Sequence, residues 1–163
     1  MHSERIGALR IPRWVRHRSR RAPSANPKRG LAIITCMDAR ISVERSFGLQ
    51  VGDANIIRNA GGLATEDALR SLVVSQHLLE TRRVVVLQHT DCGMLKFQDG
   101  EIAAQLVARF GLDTQVRLLA FRDLEESVLN QVSAIRNFGW IHPDTDVVGA
   151  ILDIRSGSYR TIT

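Results

Sequence analysis

Four short apolar runs, rich in β-branched residues, constrain this chain more than any other feature. They are Leu31-Ala32-Ile33-Ile34-Thr35, Ala54-Asn55-Ile56-Ile57-Arg58, Arg83-Val84-Val85-Val86-Leu87-Gln88 and Asp146 through Ile154, the last closed by a Ser156-Gly157-Ser158 turn. Near-continuous hydrophobicity over so few residues is the pattern of strands covered on both faces. Helical spacing fills the intervals. Thr65 caps a run with Glu66 and Asp67 in its first turn, and Leu69, Leu72, Val73, Gln76 and Leu79 follow at helical intervals, predicting a helix over about 66–80. Val116, Leu119, Leu124, Val128, Val132 and Ile135 predict a second helical stretch from about Gln115 to Phe138, with one break. Strands alternating with helices mean an α/β domain with a mainly parallel sheet flanked by helices.

At 163 residues, 44% hydrophobic and 24% charged, the chain is the size and balance of one globular domain. No stretch approaches the roughly 18–20 apolar residues of a membrane span, and the N-terminus lacks the apolar core of a secretory signal, so the expected location is the cytoplasm. The formal charge of +5 suggests a nucleic-acid partner until it is mapped. Residues 1–29 hold nine Lys/Arg and one acid, Glu4, a net of +8; the rest hold 22 − 9 = 13 basic and 17 − 1 = 16 acidic residues, a net of −3. The basic character thus belongs to an N-terminal arm, residues 1–29, with Pro12, Pro23, Pro27 and one short helical turn. The α/β domain is expected over 30–163, with nucleic acid disfavoured as a partner.

Chemistry gathers where strands end. Cys36-Met37-Asp38-Ala39-Arg40 begins where the first strand stops, and His89-Thr90-Asp91-Cys92-Gly93 begins where the third stops. Ligands of open parallel sheets bind beyond the carboxyl ends of the strands. Cys36, His89 and Cys92 make a Cys2His set, which suits zinc with a fourth position left open. Asp38 is either that fourth ligand or the partner of Arg40, leaving the position to water. Plainer readings exist: a buried Cys is often only a small hydrophobe, and a lone His is often structural. A closed structural site would show two short knuckles such as Cys-x-x-Cys. Here only His89-x-x-Cys92 is short, and 89 − 36 = 53 positions separate Cys36 from His89. Arg40 follows Cys36 too closely to leave a phosphate-cradling loop between them, which disfavours a Cys-dependent phosphatase. Asn59-Ala60-Gly61-Gly62 lies at the same sheet edge, where two glycines allow close approach to a ligand.

Taken together, Ile34-Thr35-Cys36-Met37-Asp38-Ala39-Arg40, Gly52-Asp53-Ala54 through Ile57-Arg58-Asn59-Ala60-Gly61-Gly62, and His89-Thr90-Asp91-Cys92-Gly93-Met94 resemble the β-class carbonic anhydrases, in their short bacterial and fungal branch. The resemblance implies one Zn2+ per chain on Cys36, His89 and Cys92, with Asp38 a fourth ligand or paired with Arg40. It implies hydration of carbon dioxide to bicarbonate by zinc-bound hydroxide, with Asp38 and Arg40 in catalytic roles. The backbone of Ala60, Gly61, Gly62 and Gly93 would face the substrate. A homodimer or larger assembly with partner-lined pockets is also implied, with an N-terminal arm clasping the neighbour. Two thiolates neutralise the zinc charge more than three imidazoles would, so activity is expected to lean alkaline. Two features depart from the pattern: Asn55 stands where many relatives carry His, and the arm is short and Arg-rich. Carbonyl sulfide or carbon disulfide hydrolysis is the alternative on the same scaffold, and a zinc-stabilised binding module is a remote third.

Overall fold

The computed structural model describes residues 24–111 and 117–162. The expected helical turn of the arm and residues 115–116 lie outside them. Five strands form one sheet in the order β2-β1-β3-β4-β5. β1 (Leu31–Cys36), β2 (Ala54–Asn59), β3 (Arg83–His89) and β4 (Asp146–Leu152) are parallel, and β5 (Tyr159–Ile162) pairs antiparallel to β4. The chain steps from β1 outward to β2, then crosses back over β1 to lay β3 on its other side. That reversal makes the carboxyl ends of β1 and β3 the switch point of the sheet, where ligands bind in such folds.

Both faces are covered, as the unbroken apolar runs require. On one face, Ala32, Ile34, Val84, Val86 and Val147 pack under α2 (Glu66–His77) and α4 (Leu124–Arg136) through Ala68, Leu72, Val128, Val132 and Ile135. On the other, Ile33, Leu87, Ala150 and Leu152 meet Ile41, Val43, Leu49 and Met94. α4 comes so near the sheet that a Cβ on Gly149 would lie 2.4 Å from Val128 Cγ1. The short α1 (Val43–Phe47), a 3₁₀ turn at Gly93–Leu95 and α3 (Asp99–Phe110) complete the fold.

Several elements differ from the sequence reading. α2 stops at His77, short of residue 80, because Glu80 takes a left-handed backbone (φ 63°) that no helix continues. Within the stretch expected to be helical from Gln115, the described residues 117–123 are not helical and the helix runs Leu124–Arg136. Asp123 caps that helix through the Glu126 N–H, while Leu119 is left-handed (φ 62°) and the Asp99 carboxylate accepts from the Leu119 and Ala120 N–H groups, both at 2.8 Å. β5, α1 and α3 have no counterpart in that reading. α3 carries an apolar stripe at helical spacing, Ile102, Leu106 and Phe110, that the sequence reading passed over, and none of its residues is buried.

Candidate metal centre

β1 and β3 lie side by side in register, Thr35 opposite Leu87, so their next residues emerge together at the switch point. Cys36, His89 and Cys92 are all buried, and one ligand atom from each lies within 4.8 Å of the others. The two sulfurs are 4.0 Å apart, about twice a disulfide bond length, and the cysteines are free. His89 Nδ1 lies 2.9 Å from the Thr90 carbonyl oxygen. A carbonyl only accepts, so Nδ1 carries the hydrogen and Nε2 presents a bare lone pair. Nε2 is buried with no hydrogen-bond partner among the described residues. Burial pushes the imidazole below its ordinary pKa, which favours the neutral ring. It pushes the Cys92 thiol up to about 11. An orphaned imidazole nitrogen facing two thiols, its other nitrogen fixed by a carbonyl, is a donor set that fits zinc and is costly without a partner.

Beside this cluster Asp38 is half-buried and, among the described residues, is hydrogen-bonded by no side chain but Arg40. Arg40 Nε donates to Oδ1 at 3.0 Å, Nη2 to Oδ2 at 2.7 Å, and the Arg40 backbone N–H to Oδ1 at 2.9 Å. That forked contact holds the Asp38 carboxyl well below the usual carboxylate range. Asp38 Oδ2 is 3.9 Å from His89 Nε2. Asp38 is thus paired with Arg40 in this structure. The 36–41 loop is clamped from behind by Arg58, which donates to the carbonyls of Cys36, Asp38 and Ile41 at 3.0, 2.7 and 3.3 Å.

Gly62 (φ 65°) packs against the chain at the ligand itself: a Cβ there would lie 2.9 Å from both Cys36 N and Thr35 C. Gly61 is also buried, its carbonyl accepting from Gln88 Nε2 at 2.9 Å, and Met94, Phe121 and Leu63 close around it. Ala60 and Gly93 are exposed, Gly93 opening the 3₁₀ turn with nothing within 4 Å of its would-be Cβ. Asn55 donates to Ser75 Oγ at 2.8 Å, tying β2 to α2 and away from the ligand cluster. Sequence reasoning gave no role to Arg58, Gln88, Phe121 or Asp91. Arg58 and Asp91 stood inside the quoted motifs, and an acid directly before a ligand cysteine was the available signal for Asp91; Phe121 carried none.

A family model described as carbonic anhydrase matches residues 31–110. β-Carbonic anhydrase 1 of Mycobacterium tuberculosis (strain ATCC 25618 / H37Rv) is 36% identical over 137 residues, covering 84% of this chain and 84% of the relative. The chain belongs to the β-carbonic anhydrase family. Among solved structures, the carbonic anhydrase from Streptococcus mutans is 41% identical with a TM-score of 0.85, covering 90% of this chain and 89% of that one. The carbon disulfide hydrolase of Acidianus sp. (strain A1-3) is 31% identical over 165 residues, covering 86% of this chain and 81% of the relative. Both activities named among relatives therefore occur on scaffolds similar to this one. No helix among the described residues is long and apolar enough to cross a membrane.

Proposed function

We propose that this β-carbonic anhydrase family member hydrates carbon dioxide reversibly to bicarbonate, with zinc held by Cys36, His89 and Cys92. The observation that carries the reading is the buried, unpartnered His89 Nε2 facing two thiols, with a charged Asp38–Arg40 pair 3.9 Å away. When bound, zinc supplies an acidified water as nucleophile. The protein supplies the rest. Asp38, kept ionised by Arg40, only accepts hydrogen bonds and so orients the attacking O–H. Met94, Leu63 and Phe121 around Gly61 give an uncharged substrate an apolar wall. The backbone N–H groups near Gly61 and Gly93 are assigned to the charge that develops on bicarbonate, with Ala60 and Gly62 shaping the same edge.

Met37, between Cys36 and Asp38, is 66% exposed. A large apolar side chain beside the site supports the remaining part of the reading, a homodimer or larger assembly whose partner lines the pocket. Cytoplasmic location and the division into a 1–29 arm and a 30–163 catalytic domain belong to the same proposal.

The second reading, hydrolysis of carbon disulfide or carbonyl sulfide, is favoured by the Acidianus relative. Stopped-flow hydration of carbon dioxide beside sulfide release from carbonyl sulfide and carbon disulfide separates the two. Fast hydration with no sulfide release is expected, and the reverse would replace the first reading with the second. Elemental analysis should find about one zinc per chain, lost from Cys36→Ser and Cys92→Ser because a hydroxyl is a far poorer ligand than a thiolate. Stoichiometric zinc in both variants would overturn the ligand assignment.

A further inference from the structure

Arg40 is gripped from two sides, and only one grip belongs to the dyad described above. Its Nη1 donates to Asp91 Oδ2 at 2.8 Å and its Nη2 to the Asp91 main-chain oxygen at 3.1 Å. Lys96 Nζ holds the other Asp91 oxygen at 2.6 Å. Asp91 itself has a left-handed backbone (φ 54°), a conformation Asp tolerates better than most residues, and directly precedes the buried Cys92. We propose that Asp91, backed by Lys96, is a positioning residue that orients the Arg40 guanidinium to grip Asp38 and so limits how readily Asp38 turns onto the metal. This rests on the carbonic anhydrase reading of the site.

The case is one of preorganisation. Arg40 is half-exposed, and a free arginine side chain has considerable rotamer entropy to lose when it engages a partner. Asp91 removes that freedom beforehand, with two acceptors fixed in the same turn as a ligand cysteine. Gripping Asp38 then requires no further ordering of Arg40. Lys96 neutralises the second Asp91 oxygen, so Asp91 anchors Arg40 without taking over its charge from Asp38. Without Asp91 the guanidinium gains an alternative in water, and the fork on Asp38 weakens. Only a side-chain rotation separates Asp38 from the ligand cluster, and a carboxylate is a good zinc ligand. Loosening Arg40 therefore favours Asp38 as a fourth ligand.

The test uses full-length protein and two readouts: the zinc dissociation constant, from competition with a chelator, and the carbon dioxide hydration rate. Asp91→Gly removes the carboxylate without straining the left-handed backbone; Asp91→Asn keeps an acceptor oxygen. Asp91→Gly is expected to bind zinc roughly three- to tenfold more tightly and to lose hydration rate by a similar factor, the scale of a partly exposed ion-pair network. Asp91→Asn should fall between it and wild type. The gain in zinc affinity should vanish when Asp38→Ala is combined with Asp91→Gly. A merely structural role would weaken zinc binding and activity together. Unchanged or weaker zinc binding in Asp91→Gly, or a gain that survives removal of Asp38, would overturn the proposal. Wild-type protein that fails to hydrate carbon dioxide would overturn the functional reading instead, and the zinc measurements would still decide the role of Asp91.

Discussion

Arg40 and Asp38 depend on each other, but their loss should have different consequences. In Arg40→Ala the carboxylate is released 3.9 Å from His89 Nε2, free to compete with water and hydroxide for the metal. Zinc content should stay normal, with hydration falling on the order of 10²-fold near neutral pH and recovering in part at alkaline pH, where hydroxide competes better. Asp38→Ala should also keep zinc, since three ligands remain, but its loss of rate should be even across pH because no competing carboxylate exists. Hydration rates across pH for both variants, with zinc quantified, check this; wild-type rates in Arg40→Ala would make the pair structural. The grouping of Cys36, His89 and Cys92 was legible because soft donors at strand ends are rare and their spacing is short on one side. The pairing of Asp38 was not, because a carboxylate two residues from both a ligand and an arginine satisfies either partner equally well on paper. Gly62 was legible as a glycine but not for its reason. The reason is the 2.9 Å approach to the Cys36 backbone, which depends on β1 and β2 lying adjacent.

Among the elements, α4 and the segment before it carry the clearest consequences. Gly149 lies under α4, and the atom its Cβ would strike belongs to Val128, a buried β-branched residue with little room to yield. Gly149→Ala should destabilise the protein by about 1–3 kcal/mol, the usual cost of overpacking, measured by urea unfolding of both proteins. The turn ahead of α4 depends on Asp99, whose carboxyl is held below its ordinary value first by the Ala120 N–H and then by the Leu119 N–H. A carboxyl depressed in the folded state stabilises that state above its unfolded value of about 4, and the contribution is lost as pH falls through the folded value. Asp99→Asn should therefore melt below wild type at pH 7, and the gap should narrow as pH is lowered below about 4; calorimetry of the pair at both pH values reads it directly. This pinning is also why the region misled the sequence reading. Leu119 has helical spacing to its neighbours, but a carboxylate 20 positions away in the chain decides its backbone. β1, β3 and β4 were legible because burial on both faces leaves no alternation to confuse, and β2, a half-buried edge strand, was legible from its Ile56-Ile57 run. β5 was not: three of its four residues are exposed, and only its pairing with β4 makes it a strand.

For the whole molecule, the charge map separates the arm from the domain, and every proposed ligand lies between positions 36 and 92. Deleting residues 1–27 should leave zinc content unchanged, by elemental analysis, while light scattering reports whether the assembly loosens; loss of zinc would show that the arm supports the site directly. The order of the sheet has a further effect. The two cysteines stand 56 positions apart in sequence and 4.0 Å apart in space. An ion held by both would be a crosslink across the βαβ crossover, restraining the chain for as long as both thiolates hold it. For a covalent tie closing a loop of that length, the lost chain entropy is worth about 4 kcal/mol. The metal's hold on this enzyme would then be tested each time the sheet opens: β1 and β3 could not part without giving up a ligand, so the slowest event in unfolding would be the departure of the ion.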